Sequence, residues 1–310
     1  MKQYRVPIAH LTALMTIIVW GTTFISTKLL LKDFTPIEIL FFRFVIGYIL
    51  LFVLSPSLLK PKKWQEELFF AMAGLSGVTL YFLLENIAIT YTLTSNVSII
   101  VSVAPIFTAL LAHVFLDGER LEKRFFMGFI AAILGISLVA LNGNYLLKLS
   151  PVGDVLALLA AVAWAFYSIL MKKMSRFEYS IIQCTRKVFF YGLLFMIPAL
   201  FVFDFNLNLR RFASVSNLFN ILYLGLGASA ICFATWNWSL GILGAVKTST
   251  YIYLVPVITI VTAALILHEK ITTVALLGAI LTLMGLYLSQ ADLKAKGKKK
   301  DEEKIKEKVA

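Results

Sequence analysis

The side chains able to do chemistry in this chain are the polar ones stranded in apolar surroundings. Arg43, Arg186 and Glu85 each lie inside a hydrophobic run, where an ionised group is costly unless it meets a partner or a cavity. Arg43 and Glu85 are expected at comparable depth. They either form a structural ion pair that sets helix register or face a polar cavity and exchange partners there. Arg186 stands where Arg43 stands in a second copy, 143 positions on, and an arginine at each mouth would offer a fixed donor to a carboxylate. Asn86 and Asn237 recur 151 positions apart, and an amide at such depth either ties helices together or reads a ligand. Tyr81 and Trp238 are their aromatic neighbours.

Pro105 and Pro256 keep the same spacing of 151. Without an N–H, each leaves a carbonyl four residues earlier, at Val101 or Ile252, short of its donor. Kinks are expected there, with the freed carbonyls available as pivots or as acceptors for an amine. Ser98 and Ser102 put hydroxyls one turn apart on one face, and Tyr253 stands near the equivalent place in the other copy. Trp20 with Phe24 and Trp164 with Tyr167 place aromatic pairs on single helical faces. They make either an aromatic wall around a cavity or simple packing in a chain with 25 Phe.

These residues need elements that hold them, and the chain repeats its elements. Trp20 and Trp164 are 144 apart, and Gly128, Gly135 and Glu119 find counterparts at Gly278, Gly285 and Glu269, each 150 on. An ordered series with slowly drifting offsets is an internal duplication. Both copies are apolar: 60% of the 310 residues are hydrophobic, 15% are charged and the mean hydropathy is +0.86. Too few polar residues remain to clothe a soluble globule of this length. Runs long enough to cross about 30 Å of hydrocarbon as helix are expected at 11–31, 36–56, 68–89, 94–115, 124–142, 153–173, 180–203, 217–239, 247–267 and 271–290.

The expected fold is thus an all-α polytopic membrane protein with ten transmembrane helices in an inverted 5+5 repeat. Its expected parts are a cytoplasmic N-terminus (1–10), a first repeat (11–142), a connecting loop (143–152), a second repeat (153–290) and a basic cytoplasmic tail (291–310). With the N-terminus inside, the inner segments hold 19 Lys and Arg and the outer connections five, which puts both termini in the cytoplasm. Five spans per copy then force the second copy to enter from the opposite face. The net charge of +12 follows from this topology and the tail, without nucleic acid as a partner. Cys184 and Cys232 lie in apolar runs and read as free thiols. The glycine pairs seven apart let helices approach closely, so the fifth and tenth spans read as scaffold or dimer surface.

The opening WGTTFISTKLLLKDFTPIEILFFRF, the repeated proline helices, and the glutamate and glycine pair that follow them resemble the EamA branch of the drug/metabolite transporter (DMT) superfamily over residues 8–290. The resemblance implies ten helices in an inverted arrangement, with the first four of each half lining a central cavity and the fifth and tenth outside it. It also implies export or import of amino acids and other small metabolites, some members being similar to aromatic amino acid exporters. The wider superfamily carries nucleotide sugars or sugar phosphates. The positions carried over are Trp20, Arg43, Asn86, Pro105, Trp164, Arg186, Asn237 and Pro256. The second copy departs at Ala165, where the first has Gly21.

The function expected is secondary transport of a small metabolite, an amino acid or related zwitterion, across the cell membrane by alternating access. The alternatives are a channel or receptor-like protein without coupled transport, or a carrier for a drug-like or sugar-phosphate solute. No nucleotide-binding loop, cofactor motif, metal site or catalytic set is expected. Glu85, the acidic group well inside a span, is the candidate for proton coupling. The partners are the substrate and the bilayer, with the chain acting as monomer or homodimer.

Overall fold

The computed structural model describes residues 2–92, 94–117, 123–141, 150–203, 205–267 and 272–290. Glu119, Glu269 and the basic tail lie outside them. The described residues form helices and turns, without a strand among them. Among the described residues, eight helices are long and apolar enough to cross a membrane: α1 (Arg5–Leu30), α2 (Pro36–Leu54), α3 (Trp64–Tyr91), α4 (Val97–Phe115), α6 (Pro151–Met174), α7 (Ile181–Val202), α8 (Val215–Leu243) and α9 (Ala245–Ile266). Between and after them run α5 (Lys123–Leu141) and α10 (Thr273–Gln290). Their outward faces carry Leu, Ile, Val and Phe, as at Val53, Leu134, Phe201 and Leu276. So wide an apolar exterior is stable only against lipid. This is an all-α, multi-spanning membrane fold.

The duplication shows in the irregularities. Helix α3 widens to π geometry over Leu75–Leu80, and α8 does so over Tyr223–Ile231. Helix α4 breaks between Val101 and Ala104, just ahead of Pro105, and α9 tightens to 3₁₀ over Thr250–Leu254, just ahead of Pro256. Each defect returns about 151 residues later, and at the two breaks the cause is the same, since a missing N–H at proline unseats the preceding turn in both copies.

The packing repeats too. Helix α1 lies against α8 and α9, as α6 lies against α3 and α4, and α2 lies against α7 and α8, as α7 lies against α2 and α3. Each half therefore packs chiefly into the other. Two crossings are closed by glycine pairs. A Cβ on Gly74 of α3 would stand 2.7 Å from the Gly192 nitrogen of α7, and one on Gly47 of α2 would stand 3.2 Å from the Gly225 carbonyl oxygen of α8. Gly74 and Gly225 are themselves 151 apart. Helices α5 and α10 stand aside and pack on each other, with a Cβ on Gly128 placed 2.6 Å from the Gly285 oxygen. Their glycine faces are thus spent within one chain.

Candidate functional site: a central aromatic cavity with two separated charges

Helix α2 starts where its sequence requires. Thr35 caps it, Pro36 supplies the pre-set first turn, and the Glu38 carboxylate reaches back to the Thr35 N–H at 2.7 Å. Arg211, arriving from the α7–α8 connection, clasps the same carboxylate through two nitrogens at 2.8 and 2.9 Å. With its start fixed, α2 buries Ile37, Leu40, Phe44, Gly47 and Leu51 along one side and delivers Arg43 to the interior on the same side.

Arg43 is 2% exposed. Its Nε donates to Ser229 Oγ at 2.9 Å, and its guanidinium lies 4.4 Å from the centre of the Phe82 ring. Its two terminal nitrogens have no hydrogen-bond partner among the described residues. Glu85, 7% exposed, accepts from the Tyr81 hydroxyl at 3.0 Å, one turn back on α3. Arg43 and Glu85 line the same cavity, yet no ion pair joins them among the described contacts.

The cavity is further lined by Trp20 and Phe24 of α1, Tyr81 and Phe82 of α3 and Trp164 of α6. Val101 and Ile252 line it as well. These are the residues four before the two prolines, so the two helix breaks meet at one place. The aromatic rings form a connected set: Trp20 to Trp164 at 5.2 Å edge-on, Tyr81 to Trp164 at 4.9 Å, and Trp20 to Trp236 at 5.1 Å.

The remaining sequence candidates lie elsewhere. Tyr167 is fully buried against Trp164 and donates to Asn237 Oδ1 at 2.7 Å, and Asn237 donates in turn to Thr185 at 3.1 Å. Asn86 donates to the Pro36 carbonyl at 3.3 Å and so ties α3 to the start of α2. Ser102 is buried and donates to the Ser98 carbonyl at 2.6 Å, within the α4 break. Tyr253 is buried against Phe129, Ala132 and Ile136 of α5. Trp238 is half-buried and off the cavity wall. Pro105 and Pro256 are both buried at the breaks. Arg186 donates to the backbone carbonyls of Ser55 and Ser57, closing the C-terminal end of α2. Lys187 beside it pairs with Glu67 at 2.8 Å. Near that end, in the α6–α7 turn, the Tyr179 phenol is held above its ordinary range by its hydrogen bond to the Glu66 carboxylate. Both cysteines are free and buried.

Ser229 and Phe82 are the contacts that sequence reasoning did not single out. A signal existed for Ser229: 151 positions earlier stands Val78, so a hydroxyl replaces an alkyl group in otherwise matching helices. The two tryptophans differ in a similar way. Trp20 Nε1 donates to the Ala228 carbonyl in the π segment of α8 at 2.8 Å, whereas Trp164 Nε1 is buried with no partner among the described residues.

A mostly aromatic pocket that holds two charged side chains inside a bundle of lipid-facing helices, with helix breaks at its wall, is an arrangement suited to a membrane carrier for small solutes. The chain belongs to the EamA-like transporter family, whose model matches it twice, over residues 7–141 and 151–290. It is 30% identical, over 91% of its length and 97% of the relative's, to an uncharacterized transporter of Archaeoglobus fulgidus. It is 26% identical to a probable terminal-alkyne amino-acid exporter of Streptantibioticus cattleyicolor, covering 88% of this chain and 90% of that one. To a probable amino-acid metabolite efflux pump of Escherichia coli strain K12 it is also 26% identical, covering 89% and 93%. A solved crystal structure, 18% identical, superposes with a TM-score of 0.75 over 92% of this chain and 97% of the other, which speaks to the fold. The protein is therefore a multi-pass membrane transporter and not an enzyme.

Proposed function

We propose that this transporter is a secondary carrier for an amino acid, or a closely related zwitterion, with an apolar or aromatic side chain. One observation carries the reading: Arg43 and Glu85 share the cavity without pairing. Two buried charges of opposite sign held apart match a solute that carries a carboxylate and an ammonium. The unbonded nitrogens of Arg43 suit the carboxylate, Glu85 suits the ammonium, and the Trp20, Tyr81, Phe82 and Trp164 rings suit the side chain. The names of two relatives, both concerned with amino acids, support the same class.

In this reading ten helices cross the cytoplasmic membrane as two inverted sets of five, with both termini cytoplasmic. The cavity belongs to the outward face, since its charged groups come from the outer parts of α2 and α3. Toward the other face the equivalent residues Tyr167, Phe233 and Trp236 are fully buried. That solid packing favours alternating access over a channel. Glu85 is the group that would couple transport to protons. The test is counterflow: proteoliposomes loaded with unlabelled L-phenylalanine or L-leucine should accumulate the labelled amino acid transiently and saturably. Absence of counterflow across a panel of amino acids, alongside counterflow of a sugar phosphate, would overturn the substrate class.

A further inference from the structure

We infer that Ser229, from the second half of the chain, is the residue that sets Arg43 for carboxylate recognition, and that its loss is felt specifically by substrates with a carboxylate. The inference rests on the zwitterion reading above and deepens it. Arg43 carries donors on three nitrogens. Its Nε is taken by Ser229 Oγ at 2.9 Å, and one guanidinium face is covered by Phe82 at 4.4 Å. A planar group tied at one nitrogen and held flat on a ring keeps little rotational freedom. Its terminal nitrogens then present the two parallel N–H groups that a carboxylate accepts side by side. Ordering this long side chain in advance removes an entropy cost from binding.

The placement of Ser229 is built into the backbone. It lies in the π segment Tyr223–Ile231, whose wider turn shifts the facing of the residues that follow. The approach of that segment to α2 depends on Gly47, where an added Cβ would stand 3.3 Å from Ser229 Cβ. Ser229 is itself fully buried, and Arg43 Nε is the side-chain partner of its hydroxyl. The duplicated half shows what happens without it. Val78 holds the place of Ser229 in α3, and Arg186, the counterpart of Arg43, is spent on the Ser55 and Ser57 carbonyls. One arginine of the pair is thus prepared for a ligand, and the other is a tie.

Ser229 does not itself line the cavity, so it is a positioning residue, and its test needs a readout that general destabilisation would not move. Binding of L-phenylalanine and of 2-phenylethylamine, which has the same ring and amine but no carboxylate, is measured on the purified full chain. Wild type, Ser229→Ala, Arg43→Ala and the double variant are compared. The expected result is a five- to tenfold weakening of phenylalanine binding by Ser229→Ala, with phenylethylamine binding unchanged. In the Arg43→Ala background, Ser229→Ala should add no further loss. If alanine destabilises the chain, Ser229→Cys keeps a hydrogen-bonding atom in place while weakening the acceptor and serves the same comparison. Equal weakening for both ligands, unchanged phenylalanine binding, or additive losses in the double variant would each overturn the role of Ser229. A wild-type protein that binds neither ligand would instead overturn the substrate reading, and the inference with it.

Discussion

The two halves of this transporter share their helix order, their π segments, their proline breaks and their glycine crossings, yet they spend the same residues differently. In the first half, Arg43 sits inside the protein beside a cavity, with two nitrogens unbonded among the described contacts. In the second, Arg186 is satisfied by backbone carbonyls at the end of α2. Trp20 has given its N–H to α8, while that of Trp164 has no partner among the described residues. Duplication supplies the frame of both halves, and on the reading proposed above a few side-chain differences, such as Ser229 against Val78, decide where a ligand is read. A pocket assembled from both copies need not be symmetric in its chemistry.

That contrast is most sharply broken at the arginines. Arg43→Ala should lower phenylalanine counterflow by about 50-fold or more, since charge-assisted hydrogen bonds contribute about 1.5–3 kcal/mol each. Arg186→Ala should change the transport KM by less than about fivefold and show itself as a lower Tm in detergent. Equal transport losses would erase the distinction. The glycine crossings should respond alike because they are the same contact twice. Gly74→Val and Gly225→Val are each expected to destabilise by about 2 kcal/mol through overpacking, read by thermal unfolding. A strong effect at one and none at the other would contradict the shared frame.

Glu85→Gln should weaken amino acid binding by about tenfold and abolish any pH dependence of transport while the protein stays folded. Retained pH dependence would remove Glu85 from coupling. The smallest effect separates the tryptophans. Trp20→Phe forfeits its bond to the Ala228 carbonyl and should cost about 1 kcal/mol of stability. Trp164→Phe removes a donor that has no partner among the described residues, so it should cost about 1 kcal/mol less than Trp20→Phe.

Much of the frame was legible from residue spacing, because membrane crossing demands long apolar helices and duplication repeats their landmarks. The prolines marked the helix breaks for a simple reason: a missing N–H disrupts the turn before it wherever it falls. The breaks also brought Val101 and Ile252 to one cavity, but the Ile252 carbonyl expected to be free accepts from the Val255 N–H, because the tightened 3₁₀ turn supplies a donor three residues on. The identities of the polar contacts were less legible. Asn86 and Asn237 look alike in sequence, but one holds a helix start and the other a tyrosine–threonine chain. Lys187, in the apolar α7, pairs with Glu67 of α3, a partner far away in the chain. Ser229 was hidden because a serine in an apolar helix commonly bonds its own backbone, whereas this one, in the π segment of α8, accepts from Arg43. Long-range placement of that kind depends on helix facing, which shifts by a fraction of a turn and leaves no mark in hydrophobic periodicity.

The central claim is that the arginine of the first half meets the substrate carboxylate and that of the second half does not. Arginine-specific labelling with phenylglyoxal, located by mass spectrometry on the purified transporter, tests it directly. Saturating L-phenylalanine should suppress the adduct at Arg43, 2-phenylethylamine should not, and labelling at Arg186 should be indifferent to both. Protection at Arg186, or labelling of Arg43 that ignores phenylalanine, would contradict it.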